Sequence, residues 1–416
     1  MKIILINPYG PLPNEGWRKY RNILLGEELA QGNNDVVWYT SRFSHHFKRN
    51  REIEYDTGYD NFTVELVNSK KYLNNISINR LLFEITFCIN LYFRLKKVKH
   101  VDIIIAADPS QFIGFLARIL AKKYKSKLIL DLMDEWPELF EKAISSSFKK
   151  VLIKPFVYYF KFLRKRNYQK ADGIIALGKN YLNIAKSISR KGTPSELIYN
   201  GVDVRKMRKW SENPSYDISL VVNNLNESNI NCVYSGSLGM QGDNYDIRAL
   251  VQAAIFFKNK NVDFFIAGSG EGRQYLLDAI KKENLKNLFI LGNLSAECLA
   301  RLYCYCDIGL ALYGKGSNVD MPDKFYDYSS CGLAIISSLE GELKDVIDEN
   351  NIGYSYQANN HKDLINKLEK IINNKELLEG LKLNSKNTGI KYSIDVQFNK
   401  INSLIMKLNV DLFSCS

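Results

Sequence analysis

Lys324 and Asp327 stand three residues apart in Asp320-Met321-Pro322-Asp323-Lys324-Phe325-Tyr326-Asp327-Tyr328-Ser329-Ser330-Cys331-Gly332. Pro322 can open a helix and Asp323 favours its positive end, which puts Lys324 in the first turn. An ammonium there can meet a diphosphate, and a carboxylate one turn further on can accept from ribose hydroxyls. The same spacing is also that of an ordinary surface ion pair. Glycine-bearing turns follow three strand-like runs: Tyr234-Ser235-Gly236-Ser237-Leu238-Gly239, Ala267-Gly268-Ser269-Gly270-Glu271-Gly272-Arg273 and Leu291-Gly292-Asn293-Leu294-Ser295. Glycine lets backbone approach a ligand closely, although tight turns recruit it as well. A further loop, Pro8 to Arg18 with Gly16, could offer N–H groups to a phosphate or be a Pro-rich connector. It lacks the G-x-G-x-x-G spacing, so a dinucleotide cofactor is not indicated. Asp134 and Glu135 close another strand-like run, where they could orient a hydroxyl or cap a helix.

These loops need strands to hold them. In the first half, short apolar runs predict strands at Lys2–Asn7, Asp35–Thr40, Phe62–Val67, Asp102–Ala106, Lys127–Asp131 and Gly173–Leu177. In the second half they predict Asn231–Ser235, Asp263–Ala267, Leu288–Leu291, Asp307–Leu312 and Ala334–Ser337. Most are continuously apolar, as strands covered on both faces are, and helical patterns separate many of them. The fold class expected is α/β, with two Rossmann-like parallel-sheet domains facing a central cleft. The polar segment Lys206–Ser228 marks a junction. It gives a first domain over 1–205, a second over 206–392, and a terminal helix within 393–416 that could pack back on the first. Ligands of such sheets bind at the carboxyl ends of the strands, where the glycine turns fall.

The 416 residues allow two or three domains, and an apolar share of 46% allows a large core. No uninterrupted apolar run is long enough to span a bilayer, and the opening MKIILINP does not read as a signal peptide. Seven cysteines without paired spacing suit a reducing cytoplasm, and Cys304 and Cys306 are too close for a zinc pair; no metal site is expected. The net charge of +12 is unevenly spread: residues 1–200 hold 33 Lys and Arg against 19 Asp and Glu. The first half is therefore the one suited to an anionic surface. Within it, Phe148–Arg166 forms a basic amphipathic pattern. Lys150, Lys154, Lys161, Arg164 and Lys165 lie on one side, and Phe148, Leu152, Phe156, Tyr159, Phe162 and Leu163 on the other, as in helices that lie on membranes or pack on a sheet. Leu81–Phe93 followed by Arg94, Lys96, Lys97 and Lys99 repeats the theme. Nothing beyond net charge points to nucleic acid.

Taken in order, Asn200-Gly201-Val202-Asp203, the Gly236–Gly239 turn, Gly268-Ser269-Gly270, Leu291-Gly292 and Pro322-x-Lys324 with Asp327 and Gly332 resemble the retaining glycosyltransferases of family 4. In the first half, Asp131-Leu132-Met133-Asp134-Glu135-Trp136-Pro137-Glu138 resembles the family's D-x-x-D-x-W-P-E segment, and Ala171-Asp172-Gly173-Ile174-Ile175 its AD-x-I-I strand. The likeness spans nearly the whole chain and is greatest to the subgroup building bacterial capsule, exopolysaccharide and O-antigen repeats. It implies the GT-B fold and metal-independent, cofactor-free transfer of a hexosyl or N-acetylhexosaminyl group. The donor would be a UDP- or GDP-sugar and the acceptor a lipid-pyrophosphate-linked saccharide, at the inner face of the cell membrane. Lys324, Asp134 and Glu135 would be catalytic. Gly16, Gly236, Ser237, Gly239, Gly270, Arg273, Asn293, Leu294, Lys324 and Asp327 would hold the donor. Lys150, Lys154, Phe156, Tyr159, Lys161, Arg164 and Lys165 would face the membrane. The chain departs from the family at Val319, where the first acid of E-x7-E belongs, and near Ser237 and Gly242, where a basic pair belongs. Met133 stands in place of a histidine. The alternative these departures raise is a catalytically silent relative that binds nucleotide sugar or scaffolds an assembly complex.

Overall fold

The computed structural model describes every residue except 16–17, 53–54, 76, 109, 135–136, 138–146, 213–225, 227, 241–243 and 414–416. It gives no account of the side chains of 147–150, 152, 212 and 409–413. Contacts divide the chain into two units, one formed by residues 1–200 with 398–416 and the other by 201–397.

The first unit contains β1 (Lys2–Ile6), β2 (Asp35–Ser41), a small hairpin of β3 (Phe43–Ser44) and β4 (Arg49–Asn50), β5 (Phe62–Val67), β6 (Ile103–Asp108), β7 (Lys127–Leu132), β8 (Gly173–Ala176) and β9 (Ser195–Leu197). Seven of these form one sheet in the order β5-β2-β1-β6-β7-β8-β9, with every pairing parallel. Parallel neighbours need crossovers, and the helical segments Arg21–Gln31, Ile78–Leu95, Gln111–Tyr124, Ser147–Tyr168 and Lys179–Ile188 supply them. Burial on both faces explains why β1 is apolar from Ile3 to Ile6 and β6 from Ile103 to Ala107. The core on one face brings Ile4, Ile6, Ile104, Leu128, Leu130 and Ile174 against Phe87, Leu116 and Leu120 from the helices. The terminal helix Lys400–Phe413 returns to this unit, where Asn402 Nδ2 donates to Glu28 at 2.7 Å and Lys400 Nζ to the Leu197 carbonyl at 3.0 Å.

The second unit contains β10 (Ile230–Ser235), β11 (Val262–Ala267), β12 (Leu288–Gly292), β13 (Ile308–Ala311), β14 (Ala334–Ser337) and β15 (Gly353–Ser355) in the order β12-β11-β10-β13-β14-β15, again all parallel. This is the doubly wound order of a Rossmann sheet, whose direction of winding reverses between the first and fourth strands. The reversal falls between β10 and β13 here and between β1 and β6 in the first unit. Each unit is thus a Rossmann-like α/β domain. Two expectations need correcting. Part of the segment taken as a junction is the helix Val204–Glu212, and most of the remainder lies outside the described residues. The short strands β3, β4, β9 and β15 were not foreseen.

Candidate active site

The three glycine turns of the second unit meet at one end of its sheet. Gly236 N–H donates to the Ala267 carbonyl at 2.9 Å, Leu238 N–H to Ser269 at 2.9 Å, and Gly268 N–H to Gly292 at 2.7 Å. The turns after β10, β11 and β12 are thereby hydrogen-bonded to one another. Gly268 has φ +152°, and a Cβ there would lie 1.8 Å from the Gly236 carbonyl oxygen. Gly268→Ala should therefore destabilise the second unit by roughly 3 kcal/mol or more, read as a fall in urea midpoint. Gly236 and Ser237 lie at the surface, as do Gly270, Arg273 and Asn293, while Gly239 and Leu294 are half-buried. Ser237 accepts at its carbonyl from the Tyr234 hydroxyl at 2.7 Å.

Lys324 enters from the helix Asp323–Cys331, whose N-cap is Pro322 and whose C-terminus closes on Gly332 at φ 78°. Its side chain lies at the carboxyl ends of β10 and β13, the reversal point of the sheet. A Cβ on Gly236 would come within 3.2 Å of its Nζ. The Nζ is 4.2 Å from the centre of the Tyr234 ring, 4.8 Å from Tyr313 and 5.7 Å from Tyr245. Only 8% of the residue is exposed, and among the described residues Nζ has no hydrogen-bond partner. Burial alone pulls its pKa down to about 7. The ring faces recover part of the lost hydration, but a buried cation without a carboxylate is costly.

Asp327, half-buried on the same helix, lies close enough to raise the pKa of Tyr303 and Tyr328 beneath it, although burial is the larger cause for both. It is not hydrogen-bonded to Lys324. An ordinary surface Lys–Asp pair is thereby excluded. The tyrosine cage went unforeseen. Tyr313 lies 79 residues from Tyr234 and 68 from Tyr245, a proximity that only the parallel order creates.

In the first unit, Asp134 is half-buried just beyond β7, whereas Glu135 and Gly16 lie outside the described residues. Met133, at the position where the family has histidine, accepts a contact at sulfur from Asn7 Nδ2 at 3.8 Å. Asp131 turns inward. Its carboxylate takes Arg21 Nε at 2.7 Å and Nη2 at 2.8 Å, and both side chains are 2% exposed.

The basic helix requires a correction. Arg164 is 5% exposed and lies beside the buried Asp108, whose pKa rises to about 6 through burial while Arg164 opposes the rise. It cannot face a membrane, because its charge is used inside the unit. The buried face is Val157, Phe160, Leu163, Arg164, Asn167 and Tyr168, with Asn167 Nδ2 donating to the Gln111 carbonyl at 3.1 Å. Lys154, Tyr159 and Lys165 are exposed, and Phe156 and Lys161 are half-buried. Lys150 belongs to the helix, but its side chain lies outside the description. Tyr158, Tyr159 and Phe162, not the full apolar side read from the wheel, form the outward aromatic stripe. Among the described residues no helix is long and apolar enough to cross a membrane.

The family described as Glycosyl transferases group 1 matches residues 223–388, and Glycosyltransferase Family 4 matches residues 22–206. The two matches run across both units and contain Lys324, Asp131 and the glycine turns. The chain is a GT-B glycosyltransferase. An uncharacterized glycosyltransferase of Methanocaldococcus jannaschii is 26% identical over 239 residues, which cover 52% of this chain and 67% of that protein. A chitobiosyldiphosphodolichol beta-mannosyltransferase of Dictyostelium discoideum is 30% identical over 79 residues, 19% of this chain and 16% of that one. Among solved structures, sucrose-phosphate synthase from Thermosynechococcus elongatus superposes with a TM-score of 0.70 at 15% identity, covering 100% of both chains. HepE of Anabaena in complex with UDP-glucose gives 0.63 at 15% identity, covering 99% of this glycosyltransferase and 100% of its own chain.

Proposed function

We propose that this glycosyltransferase takes a UDP- or GDP-sugar on its second unit and transfers the sugar, with retention, to a lipid-pyrophosphate-linked saccharide during surface polysaccharide assembly. The observation that carries the reading is Lys324: a buried ammonium, lacking a partner among the described residues, beside three interlocked glycine turns. A diphosphate supplies the missing counter-charge; Gly236, without a side chain, lets it approach, and exposed backbone at Ser237 and Gly270 can reach its oxygens. Asp327 would hold the ribose, Asn293 and Leu294 the base, Gly239 and Arg273 the rim. The UDP-glucose complex of the structural neighbour supports such a donor.

In the reaction the bond from the anomeric carbon to the donor phosphate breaks as the acceptor oxygen attacks from the same face. The acceptor proton passes to the departing phosphate oxygen, and Lys324 stabilises the charge that grows there. No protein nucleophile or metal is needed for this sequence. Asp134, with Glu135, would orient the acceptor hydroxyl.

The positive excess of residues 1–200 and the exposed Tyr158, Tyr159 and Phe162 beside Lys154 and Lys165 support docking on the anionic inner membrane surface. The mannosyltransferase relative, whose name carries a diphosphodolichol saccharide, supports a lipid-linked acceptor. The test is a melting-temperature screen of the full chain against UDP- and GDP-sugars, followed by donor hydrolysis and transfer. One nucleotide sugar is expected to stabilise and to turn over. Stabilisation without turnover would instead identify the silent relative, and no response to any donor would overturn the donor reading. Sedimentation with anionic vesicles at low salt, against zwitterionic ones, tests the surface, which fails if neither sediments the protein.

A further inference from the structure

The sheet of the first unit reverses between β1 and β6, and a second polar cluster lies at the carboxyl ends around that point. Tyr9 follows β1, Ser110 follows β6, His45 lies between β3 and β4, and Tyr72 lies beyond β5. The helix Ile78–Leu95 brings Arg80 and Glu84 beneath them. Glu84 is 0% exposed and accepts from the Tyr9 hydroxyl and from Ser110 Oγ at 2.6 Å. Arg80 Nε is 3.9 Å from Glu84, and its guanidinium lies over the Tyr9 ring at 5.2 Å.

Two cations converge on Asn75. Lys48 Nζ donates to its side-chain oxygen at 2.6 Å, and Arg80 Nη1 donates to its carbonyl at 3.0 Å. Lys48 also lies 4.3 Å from the centre of the Tyr72 ring, whose hydroxyl is hydrogen-bonded to His45. His45 in turn packs edge-on against Tyr9 at 5.4 Å. Burial pushes the pKa of Glu84 above the ordinary range, while the hydrogen bonds from Ser110 and Tyr9, and then Arg80, oppose the rise. Burial, then Arg80, lowers the pKa of Lys48, and burial, then Lys48 and Arg80, pulls His45 down to about 3. Mutual repulsion of this kind is relieved by an anion placed among the groups.

We propose that Lys48, Arg80 and His45 form an anion subsite of the first unit that takes a phosphate or pyrophosphate group of the acceptor. The subsite rests on the reading that the acceptor is a phosphate-linked saccharide. Lys48 and Arg80 supply charge, and His45 supplies a neutral ring nitrogen. Lys48 and Tyr9 are only half-buried, so the group can be approached from solvent.

The experiment titrates inorganic pyrophosphate into the full chain already saturated with UDP, so that Lys324 is occupied. Binding is expected to persist, and to weaken about tenfold in Lys48→Gln and in Arg80→Gln while UDP affinity stays unchanged. Lys48 lies toward the surface, so its variant remains informative should Arg80→Gln fail to fold. A short-chain prenyl pyrophosphate and galactose 1-phosphate then separate the two sources, a tighter prenyl compound indicating a lipid-linked group and a tighter sugar phosphate a soluble one. Pyrophosphate that does not bind the UDP-saturated protein, or binds both variants as well as it binds the original, overturns the subsite. That result leaves the donor reading intact, whereas failure of UDP to bind would sink the donor reading independently.

Discussion

Replacing Lys324 with methionine is expected to stabilise the ligand-free protein and to abolish its response to nucleotide sugar. Methionine has a similar length and fills the space within the Tyr234, Tyr245 and Tyr313 cage without bringing a charge. Removing an ammonium whose pKa is lowered to about 7 by burial should gain about 2 kcal/mol or more near neutral pH. Turnover should fall roughly 10²–10³-fold if the ammonium meets growing charge on the leaving diphosphate. A lysine kept for stability would give the opposite pair of results. Melting temperature with and without UDP-sugar, together with turnover, reads both.

The same group sets two pH dependences. Its pKa is about 7 in the folded protein and 10.5 in the unfolded chain, so the unfolded state binds more protons between those values. The penalty for burying the charge is complete below pH 7 and is relieved as pH rises through 7 toward 10.5. Ligand-free stability therefore gains from this residue on the alkaline side, and Lys324→Met should lose that gain. Donor affinity should move the other way. Above pH 7 the empty site has shed its proton and must recover it to hold a diphosphate, so binding weakens. Calorimetric titration of UDP from pH 6 to 9 should show that decline in the original, and little binding at any pH in the variant.

The strands were legible because strands buried on both faces must be apolar throughout. β1, β10, β11 and β14 begin and end within a residue of where the sequence puts them. β9 and β15 escaped notice, being three residues each at the sheet edges with half-buried side chains that carry no clear pattern. The start of the helix that carries Lys324 was legible from Pro322, which opens it by local chemistry. The tyrosines around Lys324 were not, since Tyr234 and Tyr313 become neighbours only when β10 pairs with β13. The turn of the helix Ser147–Tyr168 was misjudged for a related reason. A wheel treats every arginine as wet, whereas Arg164 finds Asp108 at the end of β6 and can therefore be buried. The anion cluster around Lys48 draws on five separate segments, so no window of sequence displays it.

Asp131 illustrates how a motif acid can serve the fold instead of the reaction, and its variants should separate the two roles. The carboxylate is buried and holds Arg21 through two parallel bonds, while Arg21 Nη1 also donates to the Ile198 carbonyl. One pair thereby ties the first residue of the helix Arg21–Gln31 to β7 and to the segment after β9. Asp131→Ala leaves the guanidinium buried without its partner and should cost roughly 3–5 kcal/mol, as should Arg21→Met with the carboxylate left behind. The double variant Arg21→Met with Asp131→Leu removes both charges and their desolvation together, so most of that loss should return, giving a large coupling between two residues 110 positions apart. Urea midpoints of the four proteins measure this coupling. Turnover at a temperature where all four remain folded supplies the decisive comparison: activity should recover in the double variant along with stability. A double variant that regains its midpoint and stays inactive would show that Asp131 acts on the substrate after all.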